Sequence, residues 1–325
     1  MELDKKYRNY LMPLLQPNNT ISLLKAVLNF SIFFFTILVG IVAYQDYFWY
    51  VPLLWIPLIL VIFKSFLFLH DTGHYNMFSA RIMNEIVGRT SGLITTFPYG
   101  LWQYVHNYHH KTFANLDERD FNPEIWIMTV EEYRNASEGK KLFYRFVRSK
   151  FARFALIPLI NFLLTRIPSK RGSIQSNTSI LMSDAAYIII GYFILHYDLG
   201  MEVLWTLGAP WFIAYSVVAM VFYMQHQYEE VKWYRKEKWS LLEASIHGAS
   251  FMDFGPFLNS ISENVRYHHV HHYNCAIPSV NLPKVHQDIF ESHHIKPVHF
   301  KTFYKCLNLK LWDEKKNKMV PIPKQ

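Results

Sequence analysis

Residues 26–45 read AVLNFSIFFFTILVGIVAYQ and contain no charged side chain. A second uncharged run extends from Val203 to Tyr228. A bilayer core about 30 Å thick needs about 20 apolar residues in a helix, so both runs are long enough to cross a membrane. Because the rest of the chain is much more polar, we expect an all-α, multi-pass integral membrane protein.

The composition excludes several other classes of protein. At 51% hydrophobic residues the chain is too apolar to be disordered. Two cysteines, Cys275 and Cys306, are too few for a disulfide scaffold. The net charge of +8 is compatible with nucleic-acid binding, but in a membrane protein it is more typical of cytoplasmic loops. We therefore expect membrane lipid, and no nucleic acid, among the partners.

The apolar runs predict four membrane spans in a single domain of residues 1–325. Their approximate bounds are 24–43, 51–69, 179–196 and 203–224. Two weaker stretches, Val87–Tyr104 and Phe154–Leu164, are short or interrupted by proline, and interfacial helices fit them better than spans. The rest, residues 70–178 and 225–325, is expected to form a helical cap.

The basic residues predict the orientation of these spans. The links between spans one and two and between spans three and four contain Asp46, Asp198 and Glu202 but no Lys or Arg. Basic residues flank the opposite ends of the spans. The positive-inside rule then places both termini and the cap in the cytoplasm.

Histidine is the unusual component, with 16 residues in the chain. Three clusters stand out: HDTGH at 70–74, HNYHH at 106–110 and HHVHH at 268–272. On a helix, positions i, i+3 and i+4 share one face, so each cluster can direct two or three imidazoles the same way. All three clusters follow predicted span ends on the cytoplasmic side. Together they predict a metal site.

The chemistry of the clusters favours a redox metal. A zinc protease needs H-E-x-x-H, whereas Asp71 follows His70, and catalytic zinc uses three protein ligands where this chain offers eight or nine. So many imidazoles indicate two metals, and iron suits imidazole better than magnesium or calcium does. A metal transporter is the alternative from another class, but it would place its ligands near the middle of the membrane.

At these residues the chain resembles the membrane fatty acid desaturases, with their HxxxH, HxxHH and HxxHH boxes. The likeness extends to neighbouring sequence and is closest to the acyl-lipid branch of delta-12, omega-3 and related bacterial enzymes. It rests on HDTGHYNMF, IVGRTSGLITTFPYGLW, HNYHHKTFANLDERD, IWIMTVEEY, QHQYEE and YHHVHHYNCAIPSVNLPKVH. The resemblance implies four transmembrane helices and a cytosolic helical cap that holds a di-iron site.

The resemblance also implies the site residues. The iron ligands carried over from the boxes, together with the histidine that ends the last span, are His70, His74, His106, His109, His110, His226, His268, His271 and His272. Three acids could hold ligand imidazoles through the ring nitrogen that does not face iron: Asp71, Asp117 and Glu229. The Glu229 hypothesis rests on its i+3 spacing from His226.

The remaining histidines have no such argument. His269 lies off the HxxHH spacing, and His196 is expected at the opposite membrane interface. Ordinary surface or core positions are expected for His247, His286, His293, His294 and His299. Relatives often have glycine at the positions of Glu263 and Arg266, which leaves the acyl-binding detail open.

The implied activity is an oxidoreductase that inserts a cis double bond into an acyl-lipid or other fatty acyl chain. It would use dioxygen, two iron ions and two electrons. Since the chain has no HPGG haem motif, the electrons must come from a ferredoxin or a cytochrome b5-type protein with its reductase. A hydroxylase, ketolase or acetylenase on the same di-iron core remains an alternative.

The charge pattern makes a testable prediction about topology. Reporter fusions after Asp46 and Asp198 should lie outside the cytoplasm, and fusions after Arg119 and Lys238 should lie inside it, because the two links lack Lys and Arg. Paired alkaline phosphatase and green fluorescent protein fusions measure this. A cytoplasmic signal at Asp198 would contradict the four-span topology.

Overall fold

The computed structural model describes residues 2–119, 126–170 and 172–323, and most of the chain is helical. In these residues the α-helices are α1 Glu2–Leu14, α2 Asn19–Tyr47, α3 Trp55–Gly73, α4 Arg81–Thr95, α5 Tyr99–Thr112, α6 Val130–Asn135, α7 Glu138–Val147, α8 Ile157–Leu164, α9 Ile174–His196, α10 Gly200–Val203, α11 Ala209–His226, α12 Leu241–Gly248, α13 Pro256–Ile261, α14 His268–Tyr273, α15 Leu282–Val285 and α16 Phe300–Cys306.

Tighter and wider helical turns join some of these helices. The 3₁₀ turns are Phe48–Leu54, Lys236–Lys238, Ser279–Asn281 and Glu291–His293. The π-helical turns are Ala152–Leu156, Leu204–Gly208 and His286–Phe290.

In the part of the chain that the structure describes, five short strands form two small sheets. The strands are β1 Met128–Thr129, β2 Phe251–Asp253, β3 Pro297–His299, β4 Leu311–Asp313 and β5 Lys318–Val320. In the first sheet the order is β1-β4-β5: β1 runs parallel to β4 with Met128 opposite Leu311, and β5 runs antiparallel to β4. In the second, β2 and β3 are parallel. These strands were not anticipated, because two or three residues are too few to show an alternating pattern.

The chain divides into two compact units. The polar unit comprises Met1–Gln16, Val105–Ile157 and Met220–Gln325, and the apolar unit comprises Pro17–Tyr104 and Pro158–Ala219. The polar unit contains both sheets and the two HxxHH clusters, and the apolar unit contains most of the long apolar helices.

Three helical stretches of the described chain are long and apolar enough to cross a membrane. They are Asn19–Gly73, Ile174–His196 and Gly200–His226. Large apolar side chains on them point away from the protein: Val42 is 69% exposed and Ile188 is 72% exposed. A helix in water would bury such side chains, so lipid is their natural surrounding.

The first stretch is folded into a hairpin of α2 and α3. The Asn29 amide of α2 donates hydrogen bonds to the Val61 carbonyl (3.2 Å) and to Ser65 Oγ (2.8 Å) of α3. Further along, Phe33 of α2 packs in one cluster with Leu58 of α3. The turn between them is Phe48–Leu54, where Pro52 lacks an amide hydrogen for a regular helix. Within the expected second span of residues 51–69, the regular helix α3 begins at Trp55.

The two weaker apolar stretches are not among the helices long enough to span. The sequence of Val87–Tyr104 is divided between α4 and α5, because Thr96 adopts a left-handed conformation (φ 61°) and Pro98 follows it. The helical run Ala152–Leu164 is apolar but shorter than a span.

The N-terminal helix α1 belongs to the polar unit and packs on the third histidine cluster. Leu11 is buried in one hydrophobic cluster with Val270 and Tyr273 of α14. The Asn281 amide also donates to the carbonyl of Leu14 (2.8 Å). The helix therefore supports the backbone that carries the third cluster.

Candidate metal centre

Each HxxHH sequence lies on a helix, as the spacing predicts. His106, His109 and His110 lie in the last turns of α5, and α14 consists of little more than the third cluster. His70 lies near the end of α3, and His74 follows its last residue. His226 is the last residue of α11.

Four of these histidines form one buried group in the polar unit. Each pair that follows joins two Nε2 atoms: His109 and His226 (3.1 Å), His226 and His268 (2.9 Å), His268 and His272 (2.9 Å), and His272 and His109 (3.3 Å). All four side chains are buried. The four nitrogens thus close a ring around one point.

This spacing fits a metal ion. A metal lies about 2.1 Å from an imidazole nitrogen, which places neighbouring ligand nitrogens about 3.0–3.4 Å apart. Lone pairs that face one another at this distance repel unless a proton or cation lies between them. The four nitrogens could therefore hold one ion.

A second group in the polar unit contains His106, His110 and His271. The Nε2 atom of His110 lies 3.1 Å from that of His106 and 3.0 Å from that of His271. All three side chains are buried. This second set of nitrogens has the same spacing as the first, so the two HxxHH helices each contribute to both groups.

The HxxxH pair lies in the apolar unit. The His70 and His74 rings are 5.2 Å apart and nearly perpendicular. His70 is buried, and its Nδ1 lies 2.9 Å from the Asp71 carboxylate. An acid in this position can hold a ligand imidazole through its outer ring nitrogen.

The structure corrects the expected role of Glu229. The Glu229 side chain is exposed, and His226 Nδ1 instead donates a hydrogen bond to the Gly248 carbonyl (3.0 Å). Helix α11 ends at His226, so the i+3 geometry on which the expectation depended does not continue to Glu229. The sequence does not show which backbone carbonyl accepts a hydrogen bond from a given side chain.

Asp117 also has partners other than a histidine. Its two carboxylate oxygens accept from Arg235 Nη1 (2.6 Å) and from the Lys236 amide (2.9 Å). These hydrogen bonds lower the pKa of Asp117, the backbone bond from Lys236 being the largest cause. Asp117 therefore ties the loop after α5 to the loop after α11, which is a structural role.

The buried His269 and the half-buried His286 form a pair that the sequence did not indicate. His269 Nε2 lies 2.8 Å from His286 Nδ1, and the Phe251 ring stacks on His286 (4.7 Å). Their separation of seventeen residues gives no helical signal. His196, by contrast, is exposed at the end of α9 and stacks on Tyr192.

Glu263 and Arg266 lie just before the third histidine cluster, at positions where relatives often have glycine. Glu263 adopts φ 47°, a left-handed conformation that glycine adopts without strain. The Arg266 guanidinium lies over the Phe251 ring (4.9 Å) and the Tyr267 ring (5.1 Å). Arg266 therefore packs beside the His269–His286 pair.

Burial keeps the central imidazoles neutral. It lowers the pKa of His272 well below its usual range, and the neighbouring imidazoles of His268, His226 and His109 add to the effect. Burial and the His286 ring lower the pKa of His269 in the same direction. A neutral imidazole has the free lone pair that a metal ligand needs.

Comparison with known proteins identifies the family of this chain. The family model described as fatty acid desaturase matches residues 47–301, which contain all nine predicted ligands. A protein of Bacillus subtilis (strain 168) named fatty acid desaturase is 32% identical over 79% of this chain and 73% of its own length.

The chain belongs to the fatty acid desaturase family. It is accordingly an oxidoreductase. Two further relatives are more distant. The sn-1 oleoyl-lipid 12-desaturase of Synechocystis is 25% identical over 75% of this chain and 70% of its own length. The sn-1 acyl-lipid omega-3 desaturase (ferredoxin) of Nostoc is 26% identical over 83% of this chain and 74% of its own length.

The buried neutral histidines predict a loss of stability in mild acid. Below about pH 6.5 the unfolded chain protonates His269 and His272, whereas the folded metal-free chain does not. Stability is therefore retained above that pH and should fall by roughly 3 kcal/mol per pH unit for the two together as the pH decreases. Denaturant unfolding of chelator-treated protein in detergent, between pH 6.5 and 5, measures this.

The matched variant is His269→Gln, which should reduce that pH slope by about 1.4 kcal/mol per pH unit, the contribution of one titrating group. The slope that remains comes from His272 and from His247 and His286, whose pKa values burial also lowers. Paired carboxylates such as Asp117 and Asp253, whose pKa values are lowered, protonate only at lower pH and do not affect this window. Equal stability at pH 6.5 and pH 5 would contradict the prediction.

Proposed function

We propose that this desaturase introduces a cis double bond into the acyl chain of a lipid, using dioxygen and two electrons at a di-iron centre. The observation that carries the proposal is the ring of four buried imidazole nitrogens around one point, with a second group beside it on the same two helices. The named activities of the Synechocystis and Nostoc relatives support an acyl-lipid substrate.

In this proposal nine histidines hold the two irons. His109, His226, His268 and His272 hold one ion through their Nε2 atoms, and His106, His110 and His271 contribute to the other. His70 and His74 complete the ligand set, on the strength of the HxxxH pattern of the first box. Two bound irons would supply the redox chemistry that the removal of two hydrogens from an alkyl chain requires.

The protein's own residues orient the imidazoles and exclude water. The Gly248 carbonyl accepts from His226 Nδ1, which fixes the tautomer and directs the Nε2 lone pair inward. Asp71 fixes His70 in the same way. Because the surrounding side chains are buried, the site would exclude water from a reactive oxidant.

We also propose four spans with both termini and the active site in the cytoplasm. The α2–α3 hairpin supports this, because it makes two helices of 29 and 19 residues from the first apolar stretch. At a rise of about 1.5 Å per residue, the shorter helix is about 28 Å long. The absence of Lys and Arg from the two links supports the orientation.

Electrons would come from a separate protein. Two of the relatives are named as ferredoxin-dependent acyl-lipid omega-3 desaturases, which supports a ferredoxin as donor. A cytochrome b5-type carrier with its reductase is the other donor of suitable chemistry.

Product analysis tests the proposed reaction. A host that expresses the chain with a suitable electron donor should contain a new cis-unsaturated fatty acid, because the site would remove one hydrogen from each of two neighbouring carbons. Gas chromatography and mass spectrometry of fatty acid methyl esters measure the product and the position of the double bond. A hydroxylated, ketone or acetylenic product would overturn desaturation in favour of another reaction on the same core.

Removal of one imidazole tests the ligand set. The protein should contain about two irons per chain. His226→Ala should reduce bound iron and abolish the unsaturated product, because His226 Nε2 lies about 3 Å from the nitrogens of both His109 and His268. Elemental analysis of the purified protein gives a readout that does not depend on activity.

The matched control is His196→Ala, which removes an exposed histidine from the end of another apolar helix. It should leave iron content and product unchanged. Parental iron content and product in the His226→Ala protein would remove His226 from the ligand set.

A further inference from the structure

Four cations lie together in the polar unit, at the end of α7 and before β4. They are Arg148, Lys150, Arg153 and Lys310, named here the cationic cluster. The guanidinium carbons of Arg148 and Arg153 both lie over the Tyr223 ring, at 5.6 and 4.7 Å from its centre. The Tyr144 ring lies beside Arg148, and the Tyr144 hydroxyl donates to the Lys310 carbonyl.

The described partners of these cations are uncharged groups, whereas several other arginines of the chain are paired with carboxylates. Arg148 is buried and donates to Gln227 Oε1 (2.6 Å) and to the Trp126 carbonyl (3.3 Å). Lys150 lies over the Tyr304 ring (3.9 Å). Within the described residues, no carboxylate lies within 4 Å of any cation in the cluster. Ion pairs are made elsewhere by Arg119 with Glu132, Arg166 with Asp184, and Arg235 with Glu314.

The concentration of positive charge is electrostatically unfavourable in this state. Burial, followed by the charge of Arg148, lowers the pKa of Arg153 to about 9. Burial lowers the pKa of Lys310 as well, and the charges of Arg148, Arg153 and Lys150 contribute. The Nε atoms of Arg148 and Arg153 are buried, and neither has a hydrogen-bond acceptor among the residues that the structure describes. A bound anion would remove this penalty.

The surroundings indicate which anion. Arginine forks match the oxygens of phosphate, and four cations exceed what a single carboxylate needs. Close by, apolar side chains of α7 and the following turn are exposed: Leu142, Phe143, Phe146 and Phe151. Exposed apolar residues interspersed with basic ones are typical of a segment that lies in the headgroup region of a membrane.

The cationic cluster is also next to the proposed iron ligands along the chain. Gln227, which accepts from Arg148, directly follows His226. A headgroup held at the cluster would therefore belong to a lipid whose acyl chain can be presented to the histidine groups of the same unit.

We propose that the cationic cluster is a phosphate-binding site that holds the headgroup of the acyl-bearing substrate. The substrate is then a phosphate ester, not a free fatty acid or an uncharged glycolipid. The proposal rests on the proposed desaturase function and specifies its acyl carrier. A phospholipid and a coenzyme A thioester share this chemistry, and the exposed apolar residues favour the phospholipid.

Binding to the full-length protein in neutral detergent tests the site without electrons or dioxygen. The probe is a short-chain phosphatidylglycerol, with the matching diacylglycerol, octanoate and octanoyl-coenzyme A as comparators. Lys150→Gln/Arg153→Gln should raise the dissociation constant of the phospholipid at least about tenfold, because each removes a charge-assisted contact with phosphate. Arg153→Lys in the parental background keeps the charge and should retain most of the affinity.

The control is Lys140→Gln/Lys315→Gln, which removes the same charge from two exposed lysines outside the cluster. It should change the dissociation constant by less than about twofold. If the double variant is poorly folded by circular dichroism, Lys150→Gln alone, at an exposed position, provides the comparison.

The binding measurements either support the phosphate-binding site or overturn it. Tighter binding of either phosphate ester than of diacylglycerol and octanoate, lost in the double variant, supports it, and the tighter of the two esters identifies the carrier. Equal binding of phosphatidylglycerol and diacylglycerol, or parental affinity in the double variant, would overturn it. Phosphate-dependent binding without any unsaturated product in cells would refute the desaturation and leave the site intact.

Discussion

The polar unit depends on bringing imidazole nitrogens about 3 Å apart in a place that water does not reach. Unpaired lone pairs repel at that distance, so the arrangement costs free energy unless a cation or shared protons lie between the rings. Four nitrogens closing a ring, with contacts from 2.9 to 3.3 Å, concentrate this cost at one point. The packing around α5 and α14 must hold the rings there before any metal binds.

Several contacts in the polar unit help to hold the imidazole rings in these positions. Leu11 and its neighbours in α1 cover the outer face of α14, so the third cluster is part of a hydrophobic core. Gly248 presents its carbonyl to His226, and a Cβ added at Gly248 would meet the Ala114 Cβ at 2.5 Å. The close approach of these two segments therefore requires glycine at this position. His269 of α14 also pairs with His286.

Basic side chains of the polar unit have two kinds of partner. At Arg235, carboxylates of Asp117 and Glu314 neutralise the guanidinium and tie loops together. At the cationic cluster the partners found among the described residues are aromatic rings and neutral oxygens, and the proposed phosphate site rests on this difference. The contrast separates the structural use of Arg235 from the phosphate-binding use that we propose for the cationic cluster, which lies near exposed apolar residues of α7.

The sequence alone determined the helical membrane class, the family and the histidine clusters. Uncharged runs and i, i+3, i+4 spacing are local patterns, and local patterns survive in a sequence. Only the tertiary structure decided which nitrogens meet, that His226 bonds to the Gly248 carbonyl and not to Glu229, and that Asp117 bonds to Arg235. Backbone acceptors and residues far apart in the chain meet through packing, which one sequence does not encode in any short pattern. The pairing of His269 with His286 and the gathering of Arg148, Arg153 and Lys310 have the same origin.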